Sequence, residues 1–292
     1  MPYDRNLAVT LGQLVDAAYG QYNNTPNWQP PGYSIVTTFT AVEPWKIGSP
    51  AFSIPGIQLP MNFGQLGFPH LPQFPGIPLP PPVPFGYVAT KDGDAYVIIR
   101  GTLTPLEWLA DFTIAQTPFK PGQTQYGRTT QGFKSLYDQI GPTLVQTVQH
   151  LRASGQANRI FVSGHSLGAA LAHLAAFDIA IQAGVAPISY TFSGPRTGDP
   201  EFAGAYANAN IETHRVFNTE DIVPTVPLAA LDLVAAKSGI QPNSQLGMLM
   251  QMVLQKFAQA GLFQHVGHPV AVSFQNGDIA DNHNLTNTYK AL

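Results

Sequence analysis

The 292-residue chain predicts an α/β fold, a mostly parallel central sheet with helices on both faces. Two observations carry that reading. From about residue 86 onward, short runs rich in Val, Ile, Tyr and Phe alternate with longer segments of helical period, as strands joined by crossover helices do. The run "RIFVSGHSLGAALAHLAAF", Arg159 to Phe177, joins an apolar strand to an alanine-rich helix through one serine framed by two glycines. The length suits one domain, residues 1–292, carrying insertions rather than a second core.

Taken in order, Leu7, Leu11, Leu14, Val15 and Ala18 recur at helical spacing, so an amphipathic helix ending near Gly20 should lie on the body as a strap. Residues 48–86 hold eleven of the 27 prolines and almost no charge, which excludes helix and central strand. Regular Phe, Leu and Ile in that stretch predict an ordered, polyproline-like insertion across apolar surface. "GYVATKDGDAYVIIRG" is a strand, a turn at Asp92-Gly93 and a second strand. "FKSLYDQIGPTLVQTVQHLRASG" is a helix, interrupted or kinked at Gly141-Pro142 and stopped by Gly155. "RIFVSG", "ISYTFSGPR" and "THRVFN" are buried strands, "SLGAALAHLAAFDIAIQAG" is a helix, and "VAVSFQNGDIA" should be a hairpin around Asn276-Gly277.

Composition narrows the function. There are 14 Lys plus Arg against 17 Asp plus Glu, a net charge of −3, and no basic run to follow phosphates, so nucleic acid is excluded as a partner. With no cysteine, disulfides, thiolate metal sites and a cysteine nucleophile are excluded as well. No signal peptide is expected in the sequence as given, and no apolar run approaches a membrane span, so a soluble protein, secreted or cytoplasmic, is expected. Compartment and oligomeric state leave no mark in the residues.

Gly164-His165-Ser166-Leu167-Gly168 matches G-x-S-x-G between strand and helix. That pattern holds a serine in a strained turn, its hydroxyl raised above the sheet at a helix N-terminus whose N–H groups favour developing negative charge. A serine is a poor nucleophile unless a base, oriented by a third group, takes its proton, and in α/β-hydrolases the order is Ser, acid, His. Among acids, Asp221 follows the strand "THRVFN" directly and leads over Glu220, Asp199 and Glu201. Among bases, His283 sits in a loop past the predicted hairpin and leads over His265 and His268, while His173 and His214 read as packing residues. His265-x-x-His268 lacks a third ligand at metal spacing, and no metal is expected.

At these residues the chain resembles the class 3, fungal-type triacylglycerol lipases of the α/β-hydrolase fold, over about residues 87–290. The likeness rests on "YVIIRGTLTPLEWLADF", on "VSGHSLGAALAHLAA", on "YTFSGPRTGDPEFAGAY" with "HRVFNTEDIVPTVP", and on "QHVGHPV" with "DNHNLTNTY". It implies a Ser166, Asp221, His283 triad and an oxyanion hole built from Thr102, with the backbone N–H of Leu167 as the second donor. It also implies that residues 103–116 are a lid, with Leu106, Trp108, Leu109 and Phe112 turned to the substrate. Thr104, Pro105 and Glu107 independently form a helix-start signature there. Residues 48–86 and the methionine-rich, helical segment 228–262 look like additions, and "TTQGF" departs from the family's Val-His-x-Gly-Phe-like run. The expected activity is hydrolysis of acylglycerol esters at an oil–water interface, with no cofactor. A carboxylesterase on short soluble esters, a phospholipase A1 or an acyltransferase would use the same residues, and a lipid-binding protein on an inactive scaffold is the non-enzymatic alternative.

Overall fold

A computed structural model of the chain describes residues 2–43, 80–102, 115–227 and 262–292. The expected proline-rich insertion before residue 80, the lid from 103 to 114 and the helical segment from 228 to 261 lie outside the described residues.

The main sheet has seven strands: β1 (Ser34–Ala41), β2 (Val83–Lys91), β3 (Asp94–Ile99), β6 (Arg159–His165), β7 (Ile188–Phe192), β8 (Glu212–Asn218) and β9 (His268–Val272), adjacent in that order. The first three form an antiparallel meander, and β3, β6, β7, β8 and β9 run parallel. A small second sheet pairs β4 (Gln116–Pro118) with β5 (Arg128–Thr130). Helix α1 (Arg5–Tyr22) and helix α6 (Leu285–Lys290) cover one face, and α2 (Gln131–Ala153) and α3 (Leu167–Gln182) cover the other. Helix α4 (Pro200–Asn208) lies between β7 and β8 in sequence, and the short α5 (Ile279–Asn282) precedes α6.

Side-chain alternation builds the two cores. Along the β2–β3 hairpin, Val88, Ala95, Val97 and Ile99 face α2 and α3, whereas Tyr87, Ala89, Tyr96 and Ile98 face α1. The α1 stripe is buried at Leu11, Leu14, Val15 and Ala18, with Asp4 capping the helix by accepting from the Leu7 N–H at 3.0 Å. The helix runs two residues past Gly20, to Tyr22. Asp92 and Gly93 take φ of 52° and 77°, as the two-residue turn between β2 and β3 requires.

One strand is added to the expected elements and three expectations are corrected. Strand β1 was not anticipated; it is an edge strand in which Val36 is exposed, so the alternation that marks a half-buried strand is blurred. The proline-rich stretch does not extend to residue 86, because β2 begins at Val83 and contains Pro84. The pairing of β1 with β2 shifts register between Phe39 and Thr40, next to the partner of Pro84, which accommodates a residue without an N–H. Helix α2 runs unbroken through Gly141-Pro142; Pro142 lies on its exposed side, where the carbonyl that loses an N–H partner can meet water. Asn276-Gly277 makes no hairpin. After Val272 the backbone bonds instead to side chains, Phe274 N–H to Asn218 Oδ1 at 3.1 Å and Asn276 N–H to Asn282 Oδ1 at 3.0 Å, and α5 follows.

Candidate active site

The site lies at the carboxyl ends of β3, β6 and β8. Ser166 leaves β6 with φ 57° and ψ −127°, a conformation costing on the order of 1–3 kcal/mol for a residue with a side chain. Its N–H is anchored to the Phe192 carbonyl on β7 at 2.9 Å. The flanking glycines are needed for space: a Cβ at Gly164 would lie 2.2 Å from the Gly168 carbonyl oxygen, and one at Gly168 would lie 2.3 Å from the Arg100 carbonyl oxygen. Helix and strand therefore touch backbone to backbone, which brings β3 and its Arg100-Gly101-Thr102 extension beside the serine. Leu167 is the first residue of α3, so its N–H has no carbonyl one turn earlier within the helix to bond.

Asp221 follows β8 and is buried. Its Oδ1 accepts from the Val223 N–H at 2.9 Å, and its Oδ2 accepts from His283 Nδ1 at 2.7 Å. A carboxylate can only accept, so His283 carries a proton on Nδ1, and the neutral ring then presents its lone pair at Nε2. Among the described residues, neither His283 Nε2 nor Ser166 Oγ nor Thr102 Oγ1 has a hydrogen-bond partner, although all three are buried. The His283 ring lies against the ring of His165, centroids 4.7 Å apart, directly before Ser166 in the chain.

The rival residues have other work. Glu220 is exposed, and Asp199 caps α4, accepting from the N–H groups of Phe202 at 2.8 Å and Arg128 at 3.1 Å; Glu201 is exposed in the first turn of α4. His265 bonds through Nε2 to the Pro224 carbonyl at 2.8 Å, and burial followed by the charge of Arg215 lowers its pKa to about 2. His268 is exposed at the start of β9. His173 meets the hydroxyls of Thr197 and Thr191 at 2.8 and 3.2 Å, and burial lowers its pKa to about 3. His214 is buried in β8 against Glu212, 3.1 Å away. Leu106, Trp108, Leu109 and Phe112 lie outside the described residues.

Three contributors escape sequence reasoning. Asn218, fully buried at the end of β8, donates to the Asn282 carbonyl at 3.1 Å and so ties the Asp221 loop to the His283 loop. Tyr19 and His165 join α1 to the same loop. An amide at the end of an apolar strand is the only signal that could have marked Asn218, and nothing marks Tyr19.

A serine at the turn between a central parallel strand and its helix, with acid and imidazole on loops after later strands, makes this an α/β-hydrolase fold. Solved structures share it: lipase II from Rhizopus niveus aligns over 94% of this chain and 83% of its own, with a TM-score of 0.57 at 22% identity. Rhizomucor miehei triacylglyceride lipase aligns over 90% and 78%, with a TM-score of 0.58 at 20% identity.

Sequence comparison narrows the class. Residues 96–231, just under half of the chain, match the lipase (class 3) family. It is 32% identical to the lipase of Rhizomucor miehei over 145 residues, which are 48% of this chain and 39% of that protein. It is 31% identical to the chloroplastic phospholipase A1-Iα2 of Arabidopsis thaliana over 175 residues, 49% of this chain and 36% of that protein. The chain thus spans about two fifths of the length of these curated relatives.

Proposed function

We propose that the protein is a serine hydrolase that cleaves carboxylic esters of acylglycerols. The observation that carries this reading is the His283 Nδ1 to Asp221 Oδ2 bond, which leaves the imidazole Nε2 as an unbonded acceptor beside the Ser166 turn. Ser166 Oγ attacks the ester carbonyl carbon while its proton passes to His283 Nε2, and the carbonyl electron pair moves onto oxygen. Thr102 and the Leu167 N–H hold that oxyanion; loss of one such donor typically costs about 10²–10³ in rate. Collapse expels the alcohol, which takes the proton from His283, and leaves an acyl group on Ser166. Water then attacks the acyl carbon by the same route, and the fatty acid departs. Asp221 fixes the Nδ1–H tautomer and steadies the imidazolium in both halves.

In this reading the chain is one hydrolase domain, and Leu106, Trp108, Leu109 and Phe112 are the residues that the family resemblance assigns to the acyl chain. The likeness to a phospholipase A1 supports a second substrate, the acyl ester of a phospholipid. Fluorophosphonate labelling with peptide mapping should mark Ser166, and Ser166→Ala should lose about 10⁵-fold or more in turnover. His283→Ala should abolish turnover while His265→Ala retains it; the reverse would assign the base to His265. Rates on triolein, tributyrin and phosphatidylcholine emulsions and on short p-nitrophenyl esters then rank the substrates, and the reading predicts the glycerides first.

A further inference from the structure

We propose that Tyr19 and His165 are positioning residues, a two-member relay that holds the oxyanion segment and the base loop in one fixed relation. The inference rests on the hydrolase reading above.

The direction of every bond in the relay can be worked out. His165 Nε2 lies 2.9 Å from the His283 carbonyl oxygen. A carbonyl only accepts, so Nε2 carries a hydrogen and donates. Burial, and then the neighbouring His283, hold the His165 pKa well below the usual histidine value, so the ring is neutral and its Nδ1 is a lone-pair acceptor. The Tyr19 hydroxyl, 2.8 Å away, must therefore donate to Nδ1. Its oxygen in turn accepts from the Gly101 N–H at 3.0 Å. The chain reads Gly101 N–H to Tyr19 O–H to His165, then His165 N–H to the His283 carbonyl, with no member able to reverse.

Both ends are functional. Gly101 precedes Thr102, and the Gly101 carbonyl, which shares a peptide plane with the Thr102 N–H, is held by Arg100 Nη1 at 2.6 Å. Arg100 is itself fully buried, paired with Glu43 at 3.0 Å and lying against the rings of Tyr22 and Phe85. Tyr19 fixes the preceding peptide plane. At the other end the bond fixes the backbone of His283, whose ring orientation is set separately by Asp221. Space around the relay is tight: a Cβ at Gly101 would come within 2.6 Å of the Tyr19 hydroxyl and of the His165 carbonyl oxygen. A donor and a base set on different loops lose rate through small misplacements, so a shared brace matters most in the transition state.

The test is Tyr19→Phe, with turnover expressed per serine titrated by a fluorophosphonate, so that unfolded protein drops out. The relay predicts kcat lower by about 10-fold with KM unchanged, and an equal loss of affinity for an alkyl trifluoromethyl ketone, which forms a tetrahedral adduct in the oxyanion site. Tyr206→Phe is the control for a merely structural hydroxyl. That group is buried on the other face of the sheet and bonds Thr213 at 2.7 Å, so its loss should lower the melting temperature and leave kcat per titrated serine unchanged. Should Tyr19→Phe not fold, His165→Asn carries the same test, because its amide oxygen keeps an acceptor for Tyr19 while the shorter side chain places no donor where Nε2 meets the His283 carbonyl. A variant with wild-type kcat per titrated serine and wild-type ketone affinity overturns the relay and leaves the hydrolase reading intact. Wild-type protein labelled at a residue other than Ser166 overturns the hydrolase reading, and the relay with it.

Discussion

The two faces of the sheet are held by different means. On the α2–α3 face the contacts are chiefly area: Phe119, Phe133, Phe177 and Phe202 are buried together, and Ala170, Ala172, Ala175 and Ala176 keep α3 slim enough to lie close to the strands. Phe177 and Phe202 meet edge to face with ring centroids 5.6 Å apart. On the α1–α6 face, beside Phe161 and Phe192, several of the large residues are tyrosines whose hydroxyls are tied down. Tyr87 donates to the Leu14 carbonyl at 2.8 Å, Tyr190 accepts from the Asp4 N–H at 3.0 Å, and Tyr289 donates to Asp16 at 2.5 Å. Burial of carbon is tolerant of small shifts, whereas a hydrogen bond loses most of its worth over a few tenths of an ångström. The face with the directional bonds is the one whose loops carry His283 and whose helix reaches Gly101. The difference implies that stability is concentrated on one side and placement on the other.

Substitutions can break or sharpen that contrast. The largest stability effect should come from Phe177→Ala, about 3–5 kcal/mol from denaturant unfolding, with kcat per titrated serine unchanged. If turnover per active site fell as well, the two faces would be coupled rather than divided in labour.

Acid should act next. His173 and His265 are neutral in the folded protein, with pKa values lowered to about 3 and about 2 chiefly by burial, against about 6.5 in the unfolded chain. Below pH 6.5 the unfolded chain therefore takes up protons that the folded one refuses. Stability is full above that pH and falls as pH drops, by about 1.4 kcal/mol per unit for each histidine between roughly pH 6 and 4. Burial raises the pKa of Asp178, which works in the opposite sense, because the folded form binds that proton first. Melting temperature against pH should show the decline, and His173→Gln should flatten it; an unchanged slope would mean the ring is protonated when folded.

The smallest effect should be Tyr289→Phe. Removing the hydroxyl from Asp16, which retains the Thr286 hydroxyl at 3.0 Å, should cost about 1 kcal/mol, with a fall in kcat smaller than that of Tyr19→Phe. A larger fall in kcat would make α6, rather than the relay, the main brace of His283.

Much of this was legible in the residues, for local reasons. The Gly164 to Gly168 turn is written in adjacent positions, and its two glycines turn out to be demanded by backbone contact. Helices α1, α2 and α3 and strands β2, β3 and β6 carry their period within a few turns of chain. Asp221 stood out because the end of a parallel strand is where a functional carboxylate is held. What escaped was set by partners far away. Tyr19 reads as one more aromatic at a helix end until His165 meets it from 146 positions along the chain. Asn276-Gly277 has the chemistry of a tight turn, but the second strand it needed was displaced when the Asn218 and Asn282 side chains took the backbone bonds. Pro84 argued against a strand locally, and a shift in β1 pairing accommodates it.

The positive φ at residue 166 makes the protein worse at staying folded than it could be. Glycine adopts that geometry without penalty, so Ser166→Gly should gain part of the 1–3 kcal/mol stored there, less about 0.5–1 for glycine's greater freedom when unfolded. If Ser166 is the nucleophile proposed above, a screen that rewarded heat tolerance alone would drift toward an inert protein at this one codon, and any programme to toughen the molecule should hold that position fixed.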